Sequence, residues 1–540
     1  MPDHELPDRV EIFDTTLRDG SQREGISLTA DDKLRIAGQL DHLGIHYIEG
    51  GWPGANPKDD EFFRRAAAGE LALSTATLVA FGSTRRAGGR AADDETLRRL
   101  IEAGTSAVCI VGKAWDYHVT EALRTTLDEA VAMVSDSVAY LRERGLRVFF
   151  DAEHFFDGFL RNPAFSLRVA EAAAGAGAEV VVLCDTNGGT LPHDAGRIVA
   201  EVVGALRGSA RVGVHFHDDG GCAVANALAG VRSGATQVQG CVNGYGERTG
   251  NANLTTIIPN LTLKMGVETI ARDRLERLTA VAHHIAELVN ITPNPQQPYV
   301  GVSAFAHKAG LHASAIARAR DAYEHVDPEL VGNGTRFVVS ELAGRSTLQL
   351  KAEELGLALD SVALGGVLDE LKRLEHRGYH FEAADGSLEL LMRTAAGFRQ
   401  SYFEIESFRI ITEQRETGAF VSEATMKVHV DGERHVATAE GNGPVNALDQ
   451  ALRLAVGKAH PGLAAVHLTD YKVRVLDTAK GTAAVTRVLI DSTDGEATWS
   501  TIGVSENIIE ASWQALCDSV VYGLLRAERL GEDEDDHGAA

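Results

Sequence analysis

The feature that most constrains this chain is an alternation of short apolar runs with helix-length amphipathic stretches between Val10 and Gly266. The apolar runs predict eight strands, at Val10–Asp14, Tyr47–Gly50, Ser74–Phe81, Ala107–Val111, Arg147–Ala152, Val180–Asp185, Val212–His215 and Gln237–Gly240. Eight β-then-α units in about 260 residues are typical of a (β/α)8 TIM barrel. A doubly wound open sheet is the alternative, and no glycine-rich dinucleotide fingerprint supports it.

Composition and charge exclude several classes of protein. The chain has 540 residues, so more than one structural unit is expected. A formal net charge of −25 argues against nucleic acid as a partner. No apolar run reaches the roughly 18 residues of a membrane helix, and the N-terminus lacks an apolar signal core. The five cysteines form no pairing motif, which is typical of a reducing compartment. We therefore expect a cytoplasmic protein that binds neither membrane nor nucleic acid.

Changes in pattern after the barrel predict three further regions. We place the barrel in residues 1–280 and a helical linker in residues 281–400, where several prolines first break the chain. From Tyr402 the sequence becomes β-rich, and we predict a separate domain over residues 401–530. Residues 531–540 form an acidic tail that we expect to be disordered.

An internal duplication organises the C-terminal domain. Three predicted strands and a helix occur twice, at Ser407–Thr412, Glu423–Val430, Glu433–Ala439 and Pro444–Ala459, then at Tyr471–Asp477, Ala483–Ile490, Ala497–Val504 and Ile508–Leu525. Each third strand runs into a glycine-containing turn before its helix. Such turns can hold a small anion, for example an amino-acid carboxylate, at a helix N-terminus. A purely architectural duplication is the alternative.

Two histidines at the end of the seventh strand indicate a metal site. His215 and His217 are two residues apart, so on a strand their side chains share one face. Two imidazoles and one carboxylate can hold a divalent ion, and Asp19 in the first strand's loop could supply the carboxylate. Arg18 would then be a fixed cation beside it. A pair of unrelated histidines is the alternative.

Other polar residues follow the predicted strands at the end where TIM-barrel active sites lie. They are Arg18, Asp19, Glu49, Glu153, Asp185, Thr186, His215, His217, Asn243 and Asn251. A structural protein has no reason to gather acids, histidines and amides at one rim, so we interpret the set as an active site. Asp185 and Glu49 are interpreted as supporting residues rather than as contacts to a ligand.

Three motifs carry a resemblance to a known family. They are D-T-T-L-R-D-G-S-Q (Asp14–Gln22), H-F-H-D and G-Y-G-E-R-T-G-N-A-N (Gly244–Asn253). Together they resemble the family of 2-isopropylmalate, homocitrate and citramalate synthases over nearly the whole chain. The stretches Glu49–Asp59, Asp151–Phe159 and Leu183–Pro192 resemble the citramalate synthase branch in its longer form. Isopropylmalate synthases usually carry E-D-x-x-R where this chain has E-H-F-F-D, which puts a larger branched oxoacid in doubt.

The resemblance implies condensation of acetyl-CoA with a 2-oxoacid, pyruvate being favoured, to give citramalate and CoA for isoleucine biosynthesis. It implies a divalent metal ion (Mn²⁺, Mg²⁺ or Zn²⁺) on Asp19, His215 and His217, with Asn251 in or next to the metal sphere. Arg18, Gln22 and Thr186 are then expected to contact the oxoacid.

The resemblance also implies which groups transfer protons and how the enzyme assembles. Glu153, His312 and Tyr323, with Arg18, are the expected catalytic residues. His312 and Tyr323 would come from the linker of the other subunit of a homodimer. The resemblance further implies that residues 401–530 are a regulatory, amino-acid-binding domain, so truncation at about Ser401 is expected to leave activity but to remove feedback inhibition. Isoleucine is the expected effector, or leucine if the protein is a 2-isopropylmalate synthase. Two competing hypotheses are a metal-dependent acyl-CoA lyase built on the same barrel and a non-catalytic metabolite sensor.

Overall fold

The computed structural model describes residues 6–308, 315–316, 319, 322–339, 345–400 and 402–537. The described chain divides into two compact units. The first contains the residues up to 305 together with 324–335, and the second contains the described parts of 306–323 and 336–540.

The first unit is built on a closed barrel of eight parallel strands in sequence order. The strands are β1 (Glu11–Asp14), β2 (Tyr47–Gly51), β3 (Thr77–Ser83), β4 (Ala107–Lys113), β5 (Arg147–Glu153), β6 (Val180–Asp185), β7 (Arg211–Phe216) and β8 (Gln237–Gly240). β8 pairs with β1 to close the barrel. The predicted (β/α)8 barrel is therefore confirmed, and the open-sheet alternative is wrong.

Alternation along the strands separates two apolar layers. Side chains that point into the barrel form one small cluster, in which the rings of Phe13, Tyr47 and Phe149 pack edge to face or tilted at 4.9–5.8 Å. Side chains that point outward, such as Ile12 and Val148, join the larger core beneath the helices. The barrel is therefore filled, and a ligand can enter only at its ends.

The helices around the barrel follow the predicted order. They are α1 (Ala30–Leu43), α2 (Pro57–Arg65), α3 (Glu95–Glu102), α4 (Asp116–His118), α5 (Leu127–Glu143), α6 (Phe155–Arg161), α7 (Pro163–Gly175), α8 (Pro192–Leu206), α9 (Ala223–Arg232), α10 (Leu254–Pro259) and α11 (Leu278–Leu288).

The helix-length amphipathic stretch between β4 and β5, Thr120–Arg144, is not one continuous helix. Arg124 is left-handed, with φ 54°. The side chain of Thr126 then accepts a hydrogen bond from the backbone of Glu129 and starts α5 afresh.

The second unit contains a short parallel pair, Ala306–His307 with Arg336–Phe337, then helices Arg345–Glu354, Ser361–His376 and Asp385–Ala395. Two antiparallel three-stranded sheets follow, each with one helix. The first sheet has strands Glu404–Gln414, Phe420–Val430 and Glu433–Gly441 and is followed by helix Pro444–Val456. The second has strands His467–Val475, Thr486–Thr493 and Thr498–Ser505 and is followed by helix Ile508–His537. The duplication predicted from the sequence is thus present. Among the described helices, none has both the length and the apolar character needed to cross a membrane.

The second unit differs from prediction at two places. The last helix continues to His537, past the start of the tail expected to be disordered, because extending a helix is easier than nucleating one. The linker helices also share a core with the second sheet: Leu348, Leu364 and Leu388 pack in one cluster with Ile502 and Val504. The boundary expected at residue 400 therefore runs through a continuous core.

Candidate active site

Six of the ten predicted rim residues line a cavity of about 260 Å³ at the carboxyl ends of the barrel strands. Its lining comes from the ends of the strands and from the loops that follow them: Arg18, Asp19, Gln22, Trp52, Phe81, Val111, Asp151, Glu153, Cys184, Thr186, His215, His217, Glu247 and Arg248. Parallel strands bring their carboxyl ends to one face, so residues far apart in sequence converge here.

Asp19, His215 and His217 form one compact cluster in this cavity. Asp19 Oδ2 lies 3.2 Å from His215 Nε2 and 3.7 Å from His217 Nε2. All three residues are only 4–6% exposed. The strand places both imidazoles on one face, as the spacing predicts, and the loop after β1 brings the carboxylate to them.

Burial and neighbouring charges set the protonation states of the three residues in this cluster. Burial favours the neutral form of Asp19, but Arg18 and His215 outweigh it and hold the pKa of that carboxyl well below its usual range. Burial and the nearby His215 lower the pKa of His217 to about 4. At neutral pH the cluster therefore offers an ionised carboxylate at Asp19 and a neutral imidazole at His217, whereas Asp19 raises the pKa of His215 against the opposing effect of its burial.

These donors fit a divalent metal ion. One ligand atom from each of Asp19, His215 and His217 lies within 4.8 Å of the other two. The Asn251 amide donates to Asp19 Oδ2 at 2.7 Å, and within the described chain Asn251 Oδ1 is buried without a hydrogen-bond partner. Asn251 therefore lies next to the donor set, where rotation of its amide would turn the oxygen toward it. Two nitrogens and one carboxylate leave coordination positions for water or substrate.

The two histidines are oriented by residues that the sequence analysis missed. His215 Nδ1 lies 2.9 Å from Gln239 Oε1, and Gln239 Nε2 donates to Asp151 Oδ1 at 3.0 Å. His217 Nδ1 lies 3.2 Å from a guanidinium nitrogen of Arg248. The signal for Gln239 lies in the barrel register, because it is the direct neighbour of His215 across β7 and β8. The Gln239 oxygen can accept the Nδ1–H of His215, and metal-binding histidines usually have a partner of this kind.

Arg18 is fixed on three sides. Its Nε donates to Glu49 Oε2 at 2.6 Å, its NH1 lies 3.5 Å from Asp19 Oδ1, and its guanidinium carbon lies 3.8 Å from the centre of the Phe81 ring. Burial raises the pKa of Glu49 to about 7 against the opposing effect of Arg18. The interpretation of Glu49 as a supporting residue agrees with this contact, since Glu49 holds the cation in place.

Glu153 and Thr186, two of the predicted site residues, also line the cavity. Glu153 forms an ion pair with Lys113 at the end of β4. Thr186 Oγ1 accepts a hydrogen bond from the backbone N–H of His154 at 3.0 Å. Both side chains are half-buried and reach the same space as the Asp19 cluster.

Other rim residues serve the scaffold. Asp185 accepts a hydrogen bond from the backbone of Thr190 at 3.0 Å and is 1% exposed. Asn243 donates to the carbonyl of Ala282 at 2.8 Å. His312 lies outside the described residues. Tyr323 belongs to the second unit and is 47% exposed, so its predicted catalytic role stays a prediction.

A second cavity of about 460 Å³ shares Arg18, Gln22 and Trp52 with the first. It is lined by polar and basic side chains that include Ser27 and Lys58. Space for a larger molecule therefore continues outward from the small cavity.

Comparison with known proteins adds three family matches in order along the chain. Residues 9–285 match the HMGL-like family, residues 299–379 the homocitrate synthase post-HMGL domain-like family, and residues 382–524 the LeuA allosteric (dimerisation) domain. The first of these covers about half of the chain.

Full-length relatives are similar over almost all of their length. The (R)-citramalate synthase of Streptomyces coelicolor is 56% identical over 97% of this chain and 98% of its own. That of Aquifex aeolicus is 51% identical over 97% of this chain and 100% of its own. A probable 2-isopropylmalate synthase of Methanopyrus kandleri is 33% identical over 98% of this chain and 100% of its own. Identity to five (R)-citramalate synthases is 44–56%.

Proposed function

This chain belongs to the HMGL-like family and, within it, to the (R)-citramalate synthases, and we propose that the residues around its barrel cavity join acetyl-CoA to pyruvate. The observation that carries the activity is full-length similarity to several (R)-citramalate synthases in a chain whose acid, histidine and arginine cluster is assembled. The hypotheses of an acyl-CoA lyase and of a sensor do not account for that similarity.

The reaction forms one carbon–carbon bond and breaks one thioester. The methyl group of acetyl-CoA gives up a proton, and its carbon attacks the keto carbon of pyruvate. The keto oxygen takes up a proton and becomes the hydroxyl of citramalate. Water then cleaves the thioester and releases CoA. The site must therefore polarise the keto group, remove and supply protons, and bind an anionic acid.

The anionic acid is bound by residues that the fold has already fixed. Asp19, His215 and His217 would hold a divalent metal ion, which when bound would supply Lewis acidity toward the keto group. Arg18, pinned by Glu49, meets the oxoacid oxygens with a charge that needs no proton. Thr186 donates its hydroxyl hydrogen to the carboxylate, and Gln22 lines the same wall. The cavity of about 260 Å³ suits a small oxoacid, and acetyl-CoA enters through the adjoining larger cavity.

We assign proton transfer to Glu153, which lines the cavity, and to His312 and Tyr323, which we expect to come from the linker of the other subunit. Lys113 fixes the direction of the Glu153 carboxylate. Replacement of His312 by alanine should slow turnover by about 100-fold or more while metal binding is retained, as expected when a general acid–base group is lost. Loss of the metal from that variant would contradict the assignment.

We assign isoleucine as the effector and a homodimer as the working form. A cavity of about 860 Å³ opens at the start of helix Pro444–Val456, with Gly443, Asn446, Arg453 and Tyr471 in its lining. The start of a helix favours a carboxylate. Arg453 in the same lining is paired with Asp449 at 2.9 Å. The match to an allosteric dimerisation domain over residues 382–524 supports both assignments.

The first experiment measures CoA release from acetyl-CoA by the purified protein with Mn²⁺, comparing pyruvate with 3-methyl-2-oxobutanoate at equal concentrations. We expect pyruvate to be preferred by about 10-fold or more, since extra methyl groups are rejected by a pocket of fitted volume. Preference for the branched acid would make the protein a 2-isopropylmalate synthase. Absence of release with both acids would contradict the proposal as a whole.

A further inference from the structure

One residue, His154, makes the whole connection between β5 and α6. β5 ends at Glu153 and α6 begins at Phe155. The chain reverses within that single residue because His154 adopts the left-handed conformation, with φ 53° and ψ 35°. Side chains other than glycine adopt this region rarely and at a cost. Such strain is found at functional sites when the surrounding structure imposes it.

The surroundings fix the turn on both sides. Phe155 and Phe156 are fully buried immediately after it, so α6 cannot slide. The His154 ring is 4.2 Å from the ring of His118, which in turn stacks on Trp115 at 4.9 Å. His154 is only 8% exposed. The backbone at residue 154 is therefore held in one orientation by packing rather than by its own preference.

The consequence of that orientation is a hydrogen bond to Thr186. The His154 backbone N–H donates to Thr186 Oγ1 at 3.0 Å. That bond uses a lone pair of the hydroxyl oxygen and leaves the hydroxyl hydrogen available to another acceptor. On the other side, the Thr186 carbonyl accepts from Arg248 at 2.8 Å. Thr186 is thus fixed from two directions on the cavity wall.

We propose that His154 is a positioning residue for the oxoacid: its left-handed backbone directs the hydroxyl hydrogen of Thr186 into the cavity, toward the substrate carboxylate. The inference rests on the proposed function, because Thr186 matters only if an oxoacid binds there. It assigns a purpose to the E-H-F-F-D stretch, in which the histidine stands directly after Glu153. The backbone conformation at residue 154 positions Thr186, and packing of the His154 ring stabilises that conformation.

The test separates the backbone from the ring. His154→Gly removes the ring and accepts positive φ without strain, whereas His154→Val removes the ring and opposes positive φ. We expect His154→Gly to keep the KM for pyruvate within about twofold of the parent protein, since its backbone conformation is allowed. His154→Val should raise the KM for pyruvate by about 10-fold or more, the effect of losing one hydrogen bond to a charged group. The KM for acetyl-CoA should change little in both.

A double-mutant cycle with Thr186→Val makes the assignment specific. If His154 acts through Thr186, His154→Val should add nothing to the KM for pyruvate once the Thr186 hydroxyl has been removed. If His154→Val does not fold, His154→Ala takes its place, since alanine also disfavours positive φ but adds no branch.

Three results would overturn the inference. Equal increases in KM for pyruvate in the glycine and valine variants would assign the effect to the ring. An unchanged KM in the valine variant would show that the turn does not direct Thr186. Thr186→Val with a normal KM for pyruvate would also overturn it, while leaving citramalate formation intact. Failure of the proposed function is a separate result, in which the parent protein forms no citramalate.

Discussion

The barrel cavity and the C-terminal duplication present their polar groups in opposite ways. At the barrel cavity the polar side chains are buried and bonded to one another: Asp19 contacts both His215 and His217, and each histidine has a second partner. At the start of helix Pro444–Val456 a cavity of about 860 Å³ lies open, and Gly443 makes no side-chain cap there.

The two halves of the duplication sharpen this contrast, because their helix starts differ. Helix Ile508–His537 is capped by Asn507, whose side chain accepts from the backbone of Ile509 at 2.9 Å, and Ser505 accepts from the Asn507 backbone at 3.0 Å. The first helix has glycine at the equivalent place, followed by Pro444. One helix start is thus closed by its own side chains, and the other opens onto a cavity.

This difference predicts which property of the protein a substitution should change. A group in a preassembled buried network cannot be removed without disturbing the chemistry, whereas a group beside an open cavity can change the response to a ligand alone. Substitutions in the barrel should therefore act on turnover and metal binding. Substitutions at the open helix start should act on inhibition.

The largest expected effect comes from Asp19→Ala. This change removes the carboxylate of the metal cluster, so bound metal should be lost and turnover should fall by about 1,000-fold or more. Metal content after gel filtration and CoA release are the measurements. Asp185→Asn is the control, because Asp185 contacts a backbone N–H and lies outside the cluster. An Asp19→Ala protein that retains stoichiometric metal would refute the cluster as a metal site.

The next effect concerns Gln239→Met. Methionine fills the space but breaks the link from His215 to Asp151, so the dissociation constant for Mn²⁺ should rise by about 10- to 100-fold. Competition with a chelator measures this directly.

Gln237→Met is the matched control for Gln239→Met, because Gln237 faces the same way two residues earlier on β8. Its side-chain amide has no hydrogen-bond partner among the described residues. Equal loss of affinity in both variants would assign the effect to general disturbance of the strand.

A smaller effect is expected for Gly443→Leu. A Cβ atom added at Gly443 meets no atom within 4 Å, and Gly443 lines the cavity, so a leucine there is expected to occupy part of that space. The concentration of isoleucine needed for half inhibition should rise by about 10-fold, while uninhibited turnover stays unchanged. Gly366→Leu is the control, since Gly366 also has free space around it in the same unit. Unaltered inhibition in Gly443→Leu would show that this cavity is not the isoleucine site.

The smallest effect is expected for Asn507→Ala at the closed helix start. Loss of this cap should lower the free energy of unfolding by about 1 kcal/mol and should leave isoleucine inhibition as it was. Chemical denaturation measures the free energy of unfolding, and the inhibition assay measures the response to isoleucine. A change in inhibition would mean that the two helix starts do not differ in the way described above.

Much of the barrel was predictable because its strands are short apolar runs at regular spacing. The same strand ends identify Asp19, His215 and His217, since topology alone brings them together. Gln239 and Asp151 were not predictable in the same way. An amide or acid within a strand gives no local signal, and their contact depends on the register of β5, β7 and β8 around a closed sheet.

Local structure accounts for the other misses. Helix α6 has seven residues and is too short to show a helical period, so the tight turn at His154 was not predicted. The division at residue 400 followed a change in composition. Composition does not reveal that Ile502 and Val504 pack against helical residues that precede them by more than a hundred residues.

Because of that shared core, the C-terminal domain should not be exchanged between relatives at a junction placed between its two family matches. Family matches end and begin between residues 379 and 382, yet the apolar cluster that contains Leu348, Leu388, Ile502 and Val504 spans this point. A chimera joined there would pair helices and strands that have not evolved together. Chimeras that transplant feedback control between relatives should instead be joined near strand Arg336–Phe337, so that the whole cluster comes from one parent.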